Sequence, residues 1–158
     1  MAPHAILFDN NSFPGLRTQR VQDQSLLPQL SRTGFLGALP PDRLAQVIGG
    51  STVRSLCANE ELVHEGDPGA SMFVVLEGHL LVSKQGIWIA EASAGDHLGE
   101  MALIEGRGRS ASISAMEPSS VLEIPEALFR SHVLSSPESL IALLRTFSAR
   151  MRNDLHSL

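Results

Sequence analysis

The chain has 158 residues, enough for one domain with a sizeable core, and a net charge of −5. That acidity argues against nucleic acid as the main partner, because phosphate neutralisation needs clustered Lys and Arg. A single cysteine, Cys57, excludes a disulfide framework and a Cys-based metal or iron–sulfur site, and no apolar run is long enough to span a bilayer.

Residues 1–25 are expected to form a flexible tail, since Asp9-Asn10-Asn11-Ser12 and Pro14-Gly15 are turn-rich and no apolar period holds. The first 15 residues lack the charged start and long apolar core of a signal peptide, so a cytoplasmic location is expected. Residues 26–48 read as helical, with Leu26, Leu27 and Leu30 on one face. Pro40-Pro41-Asp42 starts a second helix carrying Leu44, Val47 and Ile48, and Gly49-Gly50 stops it.

Residues 51–125 change character. β-rich runs at Thr52–Cys57, Leu62–His64, Met72–Leu76, His79–Ser83, Ile87–Glu91, Ser110–Met116 and Val121–Ile124 alternate with glycine-bearing turns. Gly66, Gly78 and Gly95 are expected to be turn glycines with no ligand role. Close-spaced strands of this kind predict an antiparallel β-roll or jelly roll of about eight strands. Residues 126–158 return to helix: a short one over Glu126–His132, then a long one with Ser136 as N-cap and Pro137 in its first turn. Leu140, Leu144, Phe147, Met151 and Leu155 follow a 4-3-4-4 spacing, which predicts one apolar stripe. The fold class is therefore mainly β with flanking helices (α+β): N-terminal helices over 26–48, a β-roll over 51–125, and C-terminal helices over 126–156.

The chemistry concentrates in "GEMALIEGRGRSAS", Gly99 to Ser112. Gly99 permits close backbone approach, and Glu100-Met101-Ala102-Leu103 are good helix formers. A short helix here has free N–H groups at its start, which favour an anion. Arg109 supplies a planar, bidentate counter-charge for phosphate oxygens. From Arg109 onward the residues alternate, so Arg109, Ala111, Ile113 and Ala115 share an inward face. An inward charge needs a partner, either Glu100 or a ligand phosphate. Glu100 repels phosphate but suits a sugar hydroxyl. No G-x-x-x-x-G-K-[ST] run is present, so a metal-bound triphosphate is not indicated.

These residues resemble the phosphate-binding cassette of cyclic nucleotide-binding domains, as found in catabolite activators and protein kinase regulatory subunits. The family pattern is roughly G-E-[LIM]-[AG]-L, a loop, then R-[STA]-A-[ST]. It stands here as Gly99-Glu100-Met101-Ala102-Leu103 and Arg109-Ser110-Ala111-Ser112. "EGDPGASMFVVLEGHLLV" (Glu65–Val82) and "AGDHLGE" (Ala94–Glu100) fit the family's strand and turn spacing, and the resemblance covers roughly residues 30–155. It implies that Glu100 binds the ribose 2′-hydroxyl and that Arg109 pairs with exocyclic phosphate oxygens. Gly99, Met101 and Ala102 would line the helix start, and Ser110 and Ala111 would complete the phosphate contacts. The C-terminal helix would close over the base as a lid, with Phe147, Met151 and Arg152 as candidate caps.

The resemblance thus implies a sensor of cAMP or cGMP, with no cofactor, no metal and no enzymatic activity. It signals to a protein effector through its C-terminal helix, which is also a candidate homodimer seam. Ser110 does not decide between the two bases. The Gly106-Arg107-Gly108 link departs from the family, whose members often carry Pro or a polar residue before the Arg; Arg107 is read as a surface charge. With the chain ending at Leu158, no helix-turn-helix domain follows the long helix, so DNA is not an expected partner. An alternative is an interaction domain of the same shape whose pocket is empty or structural, with Glu100 and Arg109 as a plain ion pair. A third reading is a cupin-like metalloenzyme, which needs three convergent ligands. His64, His79 and His97 stand apart in sequence, and each is expected at the surface or a strand end. Cys57 is expected to be an inert buried thiol.

Overall fold

Two strands of this chain carry apolar side chains on both faces. In β4 (Ser71–Glu77, SMFVVLE), Met72, Val74 and Leu76 point one way while Phe73 and Val75 point the other, and all five are buried. In β9 (Ser119–Pro125, SSVLEIP), Leu122 and Ile124 join the first set and Val121 joins the second. Strands buried on both faces need two coverings. The computed structural model, which describes residues 18–20 and 26–156, supplies them as a second sheet on one side and helices on the other.

The first sheet runs in the order β1-β2-β9-β4-β7, where β1 is Thr18–Arg20, β2 is Thr52–Leu56 and β7 is His97–Leu98. The second runs β3-β8-β5-β6, with β3 Glu61–Val63, β5 His79–Lys84, β6 Ile87–Ser93 and β8 Ser112–Ala115. All pairings are antiparallel. Between the sheets lie Leu56, Leu62, Phe73, Val75, Leu80, Ala92, Ile113, Ala115 and Val121. Helices α1 (Leu27–Leu30), α2 (Gly34–Gly37) and α3 (Pro41–Gly49) cover the outer face of the first sheet. So do α5 (Glu126–Leu128), a π-helical turn over Phe129–Val133 and α6 (Pro137–His156). Leu30, Phe35, Val47, Phe129, Val133 and Leu143 fill that second core. The short helix α4 (Glu100–Glu105) follows β7 and packs against β4, with Leu103 in the helical core.

The expected β-roll of eight strands is β2 to β9, with β7 the one the sequence did not announce. Part of the expected tail is structured, because Thr18–Arg20 pairs with β2 (Gln19 opposite Val53); the remainder of residues 1–25 lies outside the described residues. Gly66, Gly78 and Gly95 have φ of 91°, 94° and 95°, as turn glycines should. Ser136 Oγ accepts from Ser139 N at 3.4 Å, and Pro137 opens α6, as expected. Strand β6 is a sheet edge, and Ile87, Trp88 and Ile89 along it are exposed. No helix among the described residues is long and apolar enough to cross a membrane.

The predicted stripe on α6 is corrected. Leu144 and Met151 are exposed, at 56% and 65%, whereas Ser136, Ser139 and Leu143 are buried. Leu155 lies outside the residues whose side chains are described. The physical reason is a close crossing with α2. Ser139 Oγ donates to the Phe35 carbonyl at 2.7 Å, so a small polar residue, not a leucine, sits at the contact. Leu143→Ala is therefore expected to cost about 2–5 kcal/mol, whereas Leu144→Ala, measured on the monomer at low concentration, should stay within about 0.5 kcal/mol. Urea denaturation followed by far-UV circular dichroism checks the ranking, and equal costs would restore the predicted stripe.

Candidate functional site

The site starts where β7 leaves the first sheet. Strand β7 pairs with β4, placing His97 opposite Val74 and Leu98 opposite Phe73. The chain then turns at Gly99, which has φ +83°. A Cβ there would lie 2.7 Å from Arg109 Nη1 in a backbone conformation that L side chains rarely adopt, so the position demands glycine. Helix α4 follows, with Glu100, Ala102 and Leu103 buried and Met101 and Ile104 exposed. Arg130 holds its far end, donating from Nη2 to the Leu103 carbonyl at 2.8 Å.

Arg109 enters from the loop between α4 and β8. Its N–H donates to the Asp67 carbonyl at 2.8 Å, and its carbonyl accepts from Gly66 N at 2.8 Å. The side chain points inward and is only 6% exposed, as expected, although Arg109 stands in the loop before β8 and not in the predicted strand. Nη1 donates to the carbonyls of Ser71 (2.8 Å) and Gly99 (3.2 Å), and Nη2 to Ser71 Oγ (3.3 Å). The guanidinium carbon lies 5.3 Å from the Phe73 ring centroid. Gly69 lets the backbone pass directly against the guanidinium: a Cβ there would be 3.1 Å from Cζ. Burial pushes the Arg109 pKa below its ordinary value, and the Glu123 charge opposes that shift. Ser71 Oγ donates to Glu123 Oε2 at 2.7 Å, so Glu123 reaches Arg109 through a hydroxyl. Among the described residues no carboxylate pairs directly with Arg109.

The Glu100–Arg109 ion pair weighed from the sequence is therefore not formed. Glu100, 1% exposed, turns the other way. Its Oε1 accepts from Arg150 Nη1 of α6 at 2.8 Å, and Arg150 Nη2 donates to the His97 carbonyl at 3.0 Å. Its Oε2 lies 3.2 Å from His97 Nδ1, in an orientation outside hydrogen-bond geometry. Burial alone would push the Glu100 carboxyl up. The nearby His97 ring, the helix-start amide of Glu100 itself and the Arg150 charge together outweigh burial and hold it below its ordinary value of 4.5.

Of the other predicted site residues, Ser110 is exposed and Ala111 half-buried, flanking Arg109. Arg107 is exposed, as read. Of the candidate caps, Phe147 packs against the helical core, whereas Met151 and Arg152 are exposed. The α6 residue that reaches the site is Arg150, one helical turn past Phe147; sequence reasoning missed it. The repeat Ser136, Ser139, Leu143, Arg150 would have shown the face, had serines been counted as buried. Ser71 was missed too, because its main contribution to Arg109 is a backbone carbonyl that no residue type announces. His97, expected at a surface or strand end, does open β7 but is buried, 4% exposed, with its ring edge-on to Phe35 of α2 (centroids 4.9 Å apart, 77° between planes). His64 and His79 are exposed. Cys57, expected to be buried, is exposed just beyond β2. Among the described residues no group of three or more His, Cys, Asp or Glu could hold a metal ion.

The double sheet formed by the described residues, together with this cassette, defines a class, and comparison with known proteins specifies it. The chain belongs to the cyclic nucleotide-binding domain family, whose model matches residues 53–136. It is similar to a cyclic nucleotide-binding domain from Methylobacillus flagellatus, with a TM-score of 0.75 at 22% identity, over 90% of this chain and 88% of that one. It also resembles the regulatory domain of Toxoplasma gondii PKA in complex with cAMP. That match has a TM-score of 0.66 at 26% identity, over 78% of this chain and 49% of that one. Glutaminase 2 of Bradyrhizobium diazoefficiens is 31% identical over 127 residues, which is 80% of this chain. The chain spans 20% of that glutaminase.

The Glu100 shift has a consequence for acid stability. A carboxyl whose folded pKa lies below its unfolded one stabilises the fold above the unfolded value. That contribution is lost as pH falls through the folded value. Wild-type stability should therefore drop as pH falls below about 4.5, and Glu100→Gln should flatten part of that drop. Thermal melts across the acid range check it; parallel curves would show that Glu100 contributes no acid dependence.

Proposed function

We propose that this chain is a cyclic mononucleotide sensor that binds cAMP or cGMP between Arg109 and the start of α4. The observation that carries this reading is the Arg109 guanidinium. It is a buried cation whose contacts among the described residues are carbonyls, a hydroxyl and an aromatic ring, so its charge is left for an anion. A single phosphate matches one such cation. On this reading Gly99, Met101 and Ala102 line the phosphate and sugar, Ser110 and Ala111 flank the phosphate, and Glu100 takes the 2′-hydroxyl. The Arg150 bonds to Glu100 and to the His97 carbonyl couple α6 to the site, which supports signalling through movement of that helix. The chain acts as a regulatory module with a protein effector, not as the catalyst. The similarity to PKA regulatory domains supports this.

Isothermal titration calorimetry with cAMP and with cGMP tests the reading. Saturable binding of at least one nucleotide is expected, weakened about tenfold to hundredfold by Arg109→Lys, which keeps the charge but loses the planar grip. Failure of both nucleotides to bind would leave an interaction domain with a structural pocket. Helix α6 also offers a seam for a second copy of the chain, since exposed Ile141, Leu144 and Met151 recur at the 3- and 7-residue intervals on which helices pair. Sedimentation should show a dimer that Leu144→Glu converts to monomer; a monomeric wild type would remove this seam.

A further inference from the structure

Glu100 is the one buried carboxylate of the site, and two groups hold it from two different elements. Arg150 holds Oε1 from α6. His97 faces Oε2 from β7, 3.2 Å away. The two holders differ in what anchors them. Arg150 is 43% exposed along its side chain, near the end of a helix. His97 is fixed in the sheet by its pairing with Val74 and by the edge contact with Phe35. Both ring nitrogens of His97, and Glu100 Oε2, are buried without a hydrogen-bond partner among the described residues. Such an orphaned cluster costs free energy unless it serves a purpose or closes in another state.

The Glu100 side chain is 2% exposed while Arg150 covers it. A sugar hydroxyl can reach the carboxylate only if Arg150 gives way. Once Arg150 has moved, a long carboxylate side chain with one oxygen released would sample several rotamers, and only a second fixed donor could keep it aimed. We infer that His97 is the positioning residue for Glu100: a small turn of its imidazole brings Nδ1–H into line with Oε2 and holds the carboxylate for a ribose 2′-hydroxyl. This rests on the cyclic nucleotide reading above and adds to it the residue on which hydroxyl recognition depends. Loss of His97 should therefore act on the hydroxyl and spare the phosphate, which Arg109 holds separately.

The test compares the tighter-binding cyclic nucleotide with its 2′-deoxy analogue by calorimetry on the full chain, and reads the ratio of their Kd values. A purely structural role for His97 would weaken both ligands and leave the ratio unchanged. Wild type should prefer the hydroxylated ligand about tenfold or more, the range of a hydrogen bond to a charged group. Glu100→Gln should bring the ratio close to one. His97→Phe, which keeps a ring against Phe35, should lower it about threefold or more, and His97→Gln, which restores a donor, should recover part of it. A wild-type ratio retained in a folded His97→Phe would overturn the inference. A ratio near one in the wild type, with binding still dependent on Arg109, would overturn it while sparing the nucleotide reading; no saturable binding would overturn both. Imidazole 15N NMR of the wild type gives an arm that needs no variant. The His97 Nδ1 resonance should move with the hydroxylated ligand and much less with the deoxy analogue, and equal movement with both would overturn the inference.

Discussion

The burial of β4 and β9 on both faces is the constraint from which the rest follows. β4 carries an unbroken apolar run and β9 one broken only by Glu123, and an apolar face left in water costs about 25 cal/mol per Å². One face is covered by the second sheet, in which the β5–β6 hairpin is local and β8 joins it to the distant β3. The other needs helices, and these come from both ends of the chain: α1 to α3 before the roll, α5 and α6 after it. Packing α6 on that face carries it past β7 and α4. Arg150 thus reaches Glu100 across 50 residues of sequence as a by-product of covering the sheet.

The electrostatics of the site divide along Gly99. On one side a buried cation is stabilised by carbonyl dipoles and a ring face, so its field is not cancelled at short range. On the other a buried carboxylate is matched by a guanidinium from another element. Burying charges in this way is costly unless each finds partners, and here the partners differ in kind. The two charges lie nine residues apart in sequence and are kept from neutralising one another by the turn at Gly99, whose missing side chain makes room for Arg109 Nη1.

Much of this was legible in the residues. Glycines at strand ends gave the roll and the Ser136-Pro137 pair gave the start of α6; Arg109 does aim inward, but from the loop before β8, where strand alternation does not reach. What was not legible has physical causes. Strands of two or three residues, such as β7 and β1, are too short to show a period. The docking face of α6 is hidden because Ser139 is read as polar by type, although its hydroxyl is satisfied by the Phe35 carbonyl at a close helix crossing. His97 owes its burial to Phe35 and α6, both remote in sequence, and nothing in "GDHLGE" encodes that. Cys57 follows a strand whose last residue, Leu56, is buried, and burial does not continue past it.

The exposed run on β6 has a practical consequence for following this molecule in solution. The sequence contains one tryptophan and no tyrosine. That tryptophan, Trp88, stands in solvent on the edge strand, its indole N–H donating to the Ala90 carbonyl two residues on at 3.2 Å. An indole 61% exposed should already emit much as in water, so intrinsic fluorescence is expected to report the β5–β6 hairpin and little of either core. A fluorescence melt would record the loosening of one edge, while the helices packed on the opposite sheet unfold unseen.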